Sequence, residues 1–208
     1  MSEIVQTMQV QEDGSLKSVD TGLELWAGEF GNSYTKRNQV DWRIRMPFWK
    51  MIIDLTGARS VFEMGANAGW NLSAIRRQFP DVVVVGNDIN PRAAGQAQAA
   101  GLHVVNKLDF STAIPGKYEL CFTAGVLIHI EPENVIEVMQ ALIEKSSRYV
   151  MAVEYPAAVE EQVFYRGHSD KLWKRPYGSM YIDMGLKVVS AGDAGVGFDA
   201  CHYWLMEK

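Results

Sequence analysis

The sequence predicts an α/β protein: one domain on a doubly wound sheet of about seven strands, mostly parallel, with a C-terminal antiparallel hairpin and helices in front. Three observations predict it. Between residues 60 and 153, short apolar runs alternate with stretches of helical spacing, the rhythm of strands joined by crossover helices. The run Val82–Gly86 is a near-continuous valine block, as a strand buried on both faces requires. The last two apolar runs, Lys187–Ser190 and Cys201–Met206, are separated by a glycine-bearing turn region, Ala191–Gly197, with no helical pattern between them, so they close as a hairpin.

The elements follow in order. Residues 1–20 are polar and aperiodic, which predicts a mobile arm. Leu23, Leu25, Trp26 and Phe30 line one helix expected to stop near Gly31. Val40–Leu55 is a longer helix with Ile44, Phe48, Met51, Ile52 and Leu55 toward a core; Pro47 inside it predicts a kink or break, and Gly57 a C-terminal stop. Trp42, Phe48 and Trp49 are assigned to packing. These segments, 21–58, form a cover over the remainder, 59–208. There, strands are expected at Ser60–Met64, Val82–Gly86, Leu102–Asn106, Tyr118–Thr123 and Tyr149–Val153. Helices are expected at Asn71–Phe79, Pro91–Ala100 and Pro132–Glu144, with Pro91 at a first helical position.

Composition narrows the classes. With 48% hydrophobic and 22% charged residues over 208 positions, the chain is globular rather than disordered. No apolar run is long enough to span a bilayer, and no signal peptide is visible. A net charge of −5 argues against gripping a nucleic-acid backbone. Cys121 and Cys201 sit in apolar runs, as buried thiols of a reducing, cytoplasmic compartment would. The four histidines are scattered without metal-ligand spacing, so no metal site is expected.

The strongest chemical signal is Val61-Phe62-Glu63-Met64-Gly65-Ala66-Asn67-Ala68-Gly69: a buried strand ending in an acid, a glycine-bearing turn, then a helix start. Glycine admits close approach of a ligand to the backbone. A dinucleotide site would carry GxGxxG for a pyrophosphate. The spacing here is GxxxG behind a carboxylate, which suits a ligand bearing a cation. Asp88, with Ile89 beside it, ends the next strand, where an acid accepts from ribose hydroxyls. Asp109 and Phe110 follow the third strand, placed to meet and cover a purine. Thr123 and the stretch Gly125–Ile130, which holds His129, follow the fourth.

In order and at these spacings, residues 60–154 resemble the class I S-adenosylmethionine (SAM) dependent methyltransferases, which implies a Rossmann-like methyltransferase core. The resemblance implies SAM as cofactor and S-adenosylhomocysteine (SAH) as product. It places Glu63, Gly65, Ala66, Asn67 and Gly69 at the methionine part, Asp88 and Ile89 at the ribose, Asp109 and Phe110 at the adenine, and Thr123 near the methyl-transfer zone. A narrower resemblance covers the flanks. Leu25-Trp26-Ala27-Gly28-Glu29-Phe30-Gly31-Asn32-Ser33-Tyr34-Thr35-Lys36-Arg37-Asn38, Gly125–Ile130, Tyr165-Arg166-Gly167-His168 and Leu172-Trp173-Lys174-Arg175 look like the methylases associated with pseudaminic acid biosynthesis. Pro176-Tyr177 departs from that family, which commonly has an acid and an aromatic there. This resemblance adds Tyr34, Arg37 and Asn38 to the cofactor side.

The acceptor side has two readings throughout. His129 is either a proton acceptor or substrate contact, or a pocket-lining histidine satisfied by a carbonyl. Glu154, ending the fifth strand, is a second candidate for proton removal. The basic stretch near 155–180, with Tyr165, Arg166, His168, Lys174 and Arg175, is either a clamp for an anionic acceptor or a solvated face. The expectation is a methyltransferase acting at O or N of a small anionic metabolite, a sugar acid or nucleotide-linked sugar. Alternatives are a methyltransferase of RNA or protein, a nicotinamide-dependent reductase, and a non-catalytic SAM-binding protein. Oligomeric state is not readable.

Overall fold

The structure is a computed structural model and describes residues 8–10, 16–18, 22–107, 113–167 and 171–208. Its centre is a seven-stranded sheet in the order β10-β11-β7-β6-β3-β4-β5. The strands are β3 (Ser60–Met64), β4 (Val83–Asn87), β5 (His103–Val105), β6 (Tyr118–Ala124), β7 (Ser146–Glu154), β10 (Lys187–Asp193) and β11 (His202–Glu207). The pairs among β3 to β7 are parallel. Strand β11 runs antiparallel to both β7 and β10, the expected closing hairpin.

After β5 the chain crosses back to place β6 on the other side of β3. That reversal opens a crevice at the carboxyl ends of β3 and β6, where open α/β sheets bind ligands. The alternation of a strand builds both faces: Val61, Leu120 and Phe122 enter one core with Trp49, Ile52 and Leu72, while Phe62 and Cys121 enter the other with Met139, Leu142 and Tyr177.

Crossover helices are α4 (Trp70–Gln78), α5 (Pro91–Ala99) and α6 (Val135–Lys145). The amphipathic spacing of α6 behaves as expected: Val135, Met139, Leu142 and Ile143 are buried. Helix α5 begins as its sequence demands, with Asn90 accepting the Ala93 N–H at 2.9 Å and Pro91 in the first turn.

Several expectations need correction. The first helix does not end near Gly31. It breaks at Gly28, giving α1 (Gly22–Ala27) and α2 (Glu29–Arg37), and α2 runs through Gly31. The glycine is needed for contact, not termination: a Cβ there would lie 1.9 Å from the Trp26 carbonyl oxygen. Pro47 does not kink a helix. A 3-10 turn, Trp42–Arg45, precedes α3 (Met46–Thr56), and Pro47 occupies the first turn, where a missing N–H breaks no bond. This start sets the helix phase, so Phe48, Trp49, Ile52 and Ile53 are buried while Ile44, Met51 and Leu55 are exposed. Gly57 ends the helix at φ 62°, as expected.

Strand β4 is buried only from Val85 onward; Val83 is 56% exposed. Three small elements carry no local pattern in the sequence. Two are antiparallel ribbons, β1–β2 (Met8–Val10, Leu16–Ser18) and β8–β9 (Glu161–Gln162, Trp173–Lys174). The third is helix α7 (Tyr177–Asp183), which buries Tyr177 and Tyr181. The first ribbon lies in the segment read as an arm. Among the described residues, no helix is long and apolar enough to cross a membrane.

Candidate functional site

The turn after β3 is shaped by backbone that only certain residues tolerate. Gly65 has φ 71°, Asn67 φ 49° and Gly69 φ 79°. This turn is tied to the end of β4 by two bonds: Ala66 N–H donates to Asn87 O at 2.8 Å, and Asn67 N–H to Asp88 Oδ2 at 2.7 Å. The other Asp88 oxygen, Oδ1, accepts the Asn90 N–H at 2.8 Å. The carboxylate is therefore fixed at both oxygens, and burial raises its pKa despite those two donors. Gly69 lies off the crevice: a Cβ there would sit 2.2 Å from Leu102 Cδ1, so it serves the packing of α4.

Two cavities open along the crevice and share Tyr34, Gly65, Asn67, Gly125 and Val126 in their walls. The smaller, about 310 Å³, is polar and adds Arg37, Asn38, Arg45, Glu63, Ala66, Asn71 and Asp199. Glu63 is its central group. Its Oε1 accepts from Asn71 Nδ2 at 2.6 Å, while its Oε2 is buried with no partner. The Asn71 oxygen in turn accepts from Arg45 Nη1 at 2.9 Å and Trp49 Nε1 at 3.2 Å. Arg45 also donates from Nε to Gly197 O at 2.8 Å, which holds the turn between β10 and β11 against the cavity. Burial pushes the Glu63 pKa up to about 8, against the lowering effect of Asn71 and Arg45.

The larger cavity, about 480 Å³, is walled by Trp26, Gly31, Tyr34, Asp88, Ile89, Val126 and His129, with residues of α6 at its far side. His129 Nδ1 donates to Lys171 O, 2.8 Å away, since a carbonyl only accepts; in the neutral ring Nε2 then carries a lone pair. Burial pulls its pKa down to about 4, so the ring is neutral near pH 7. Trp26 packs at 4.3 Å from the His129 ring and 5.2 Å from that of Tyr34, and Tyr165 lies 5.7 Å from His129. The chemistry available is an acid for a buried cation, an acid for paired hydroxyls, and a neutral imidazole within an aromatic wall.

Other expected residues lie elsewhere. Glu154 does not reach either cavity. It is buried beneath the loop after β6, where Oε1 accepts from the Val126 and Leu127 N–H groups, both at 3.0 Å. Burial pushes its pKa up to about 7, with those N–H donors opposing. It positions the loop that both cavities share and is not placed to take a proton from an acceptor. Thr123 is buried beside it and also lines neither cavity.

Arg175 turns inward rather than toward either cavity: 1% exposed, it donates from Nε to Glu160 Oε2 at 2.6 Å and from Nη1 to Leu127 O at 2.9 Å, and its Nη2 is buried without a partner. Replacing Arg175 with Ala is accordingly expected to lower the melting temperature, at a cost of about 2 kcal/mol from lost bonds and packing, while SAH affinity changes less than about threefold. Thermal unfolding and titration on the same preparation check this. Lys174 is half-buried with its Nζ 6.0 Å from the Tyr155 ring, and Arg166 is exposed over Tyr165. Neither lines either of these two cavities. Asp109, Phe110 and His168 lie outside the described residues. Among the described residues no group of acids, histidines and cysteines could hold a metal.

Sequence reasoning missed Arg45, Asn71, Trp26, Asn90 and Asp199. Only Asn71, in the first turn of the helix that follows the glycine loop and on its buried face, carried a signal: a polar residue where the period asks for an apolar one.

Most of the chain resembles solved methyltransferases. Magnesium protoporphyrin IX methyltransferase from Synechocystis PCC 6803, solved with bound SAH, matches at a TM-score of 0.66 and 16% identity, over 89% of this chain and 96% of that one. A sugar N-methyltransferase from Streptoalloteichus sp ATCC 53650 matches at 0.64 and 12%, over 88% and 93%. A SAM dependent methyltransferase from Archaeoglobus fulgidus matches at 0.65 and 13%, over 87% and 100%. No family model and no curated protein matches the sequence. The fold is the Rossmann-like α/β fold of these methyltransferases.

Proposed function

We propose that the chain is a SAM-dependent methyltransferase acting on a small molecule. The observation that carries this is the Glu63 Oε2 atom, buried and unpartnered on a side chain that lines the polar cavity. Leaving such an atom unpaired is costly, and a ligand ammonium satisfies it. In this reading Glu63 takes the α-ammonium of the cofactor, Arg37 its carboxylate, and Asp88 its ribose hydroxyls, with Asp109 and Phe110 at the adenine. Tyr34 and Asn38 close over the methionine part. The bound cofactor supplies a sulfonium methyl, already a strong electrophile.

The chain's share of the reaction is alignment and exclusion of water. Trp26, Tyr34 and Tyr165 shield the crevice. His129 Nε2 accepts a hydrogen bond from an acceptor hydroxyl or amine and so aims its lone pair at the methyl. With so low a pKa, the imidazole orients the nucleophile more than it stores a proton.

The acceptor is a small molecule at O or N. An anionic sugar acid, as the pseudaminic-type flanks imply, would depend on Arg166 and Lys174, because Arg175 is committed to Glu160 and Leu127.

The test is a calorimetric titration with SAH and with NADH. SAH binding in the micromolar range, with no heat from NADH, is the expected outcome. NADH binding in place of SAH overturns the reading. A screen of acceptors with labelled SAM, anionic and neutral sugars side by side, then tests the substrate class.

A further inference from the structure

The turn that presents Asp88 also carries a latch for the cover. Asn90 is 4% exposed, and its side chain is used on both sides. Its Oδ1 accepts the Ala93 N–H at 2.9 Å and caps α5. Its Nδ2 faces three acceptors, all on the cover: Trp26 O at 3.0 Å, Gly28 O at 3.4 Å and Asn32 Oδ1 at 3.2 Å. An amide has two such hydrogens to share. The backbone N–H of the same residue is the donor to Asp88 Oδ1. Gly31 allows the approach, since a Cβ there would lie 2.7 Å from Asn90 Nδ2. The breakpoint between α1 and α2 is thus fastened to the residue that holds the proposed ribose acid.

We infer that Asn90 is a positioning residue that couples nucleoside binding at Asp88 to the seating of α1 and α2, so that the cofactor completes the acceptor pocket. The inference rests on the SAM reading of the site. Trp26 supplies both a carbonyl to the latch and a ring to the larger cavity, against His129 and Tyr34. A ribose bonded to the remaining lone pairs of the Asp88 carboxylate steadies the bond it already makes to the Asn90 N–H, and with it the amide that holds Trp26. The acceptor then meets a finished wall. Without the latch, Trp26 loses its hydrogen bond to the core and keeps its ring contact with His129, and both affinity for the nucleoside and the acceptor KM suffer.

Asn90→Asp separates this role from helix capping. Aspartate keeps an oxygen for the Ala93 N–H and is as good a cap as asparagine, but turns an oxygen toward three acceptors. Asn90→Ser, which keeps the cap oxygen and is too short to reach the cover, guards against a folding defect from the added charge. Amide exchange is followed over residues 22–37 with and without SAH, beside calorimetry. In the wild type, SAH is expected to slow exchange there about tenfold or more. In both variants that protection is lost and SAH binds about tenfold more weakly, while exchange in β3 and β6 stays slow.

Wild type that binds SAH with unchanged exchange over 22–37 overturns the coupling and leaves the cofactor assignment standing. So do variants that keep wild-type protection and affinity. Absence of SAH binding by the wild type overturns the cofactor assignment itself, and the coupling with it.

Discussion

Asp88→Ala is expected to weaken SAH binding by about a hundredfold or more. Each carboxylate oxygen already accepts one backbone N–H, from Asn67 and from Asn90, and so holds a single orientation. Their remaining lone pairs are free for two adjacent hydroxyls. Hydrogen bonds to a charged acceptor contribute about 1.5–3 kcal/mol each, so the loss of two reaches a hundredfold on the lower figure. The substitution also frees the Asn67 N–H, which helps hold the turn after β3 in its positive-φ form. Asp88→Asn keeps the shape but presents an amide hydrogen to one of those two N–H donors, so it is expected to be nearly as damaging. Calorimetry with SAH decides. Binding by the alanine variant within about threefold of wild type would remove Asp88 from the ribose site.

The parts of the site that were legible in the sequence are those where one short segment does the work alone. An acid ending an apolar run, followed by glycines, is visible because strand, turn and ligand contact lie within Val61–Gly69. Asp88 is visible for the same reason, with Asn90-Pro91 marking the next helix start. What was illegible comes from the meeting of distant segments. Arg45 and Gly197 reach the Glu63 network from opposite ends of the chain, and no local pattern joins them.

Arg175 shows a different limit. In sequence, Lys174-Arg175 is one basic pair. In the fold, the lysine stays half-buried near Tyr155, while the arginine turns inward to a carboxylate and a carbonyl. Charge composition carries no information about which side of a backbone faces water. Pro47 and Gly31 were misread through a related ambiguity. Each residue has two structural uses, a break or a permitted contact, and only the packed neighbours select between them.

Glu63 should make cofactor binding depend on pH, in a window well above that of ordinary carboxylates. The buried acid retains its proton up to about pH 8, whereas in the unfolded chain it loses it near the ordinary value of 4.5. Between those values the folded protein binds more protons than the unfolded one, so this group lowers ligand-free stability as pH rises through the window. A ligand ammonium reverses the balance, because it pairs only with the carboxylate. Below about pH 8, binding must therefore expel a proton. SAH affinity is expected to climb about tenfold per pH unit between 6 and 8, then level off.

His129 takes no part in this rise, since burial holds its pKa near 4. Glu154 titrates near 7 but lines neither cavity. Glu63→Gln isolates the effect: it keeps the shape, removes the charge, and is expected to bind about a hundredfold more weakly at pH 8 with a flat profile below it. Calorimetry in buffers of different ionisation enthalpy counts the protons released. Wild-type affinity that stays level from pH 6 to 8, with no proton release, would show that no ammonium is taken up at Glu63. The reading of the polar cavity as the methionine site would then have to be abandoned.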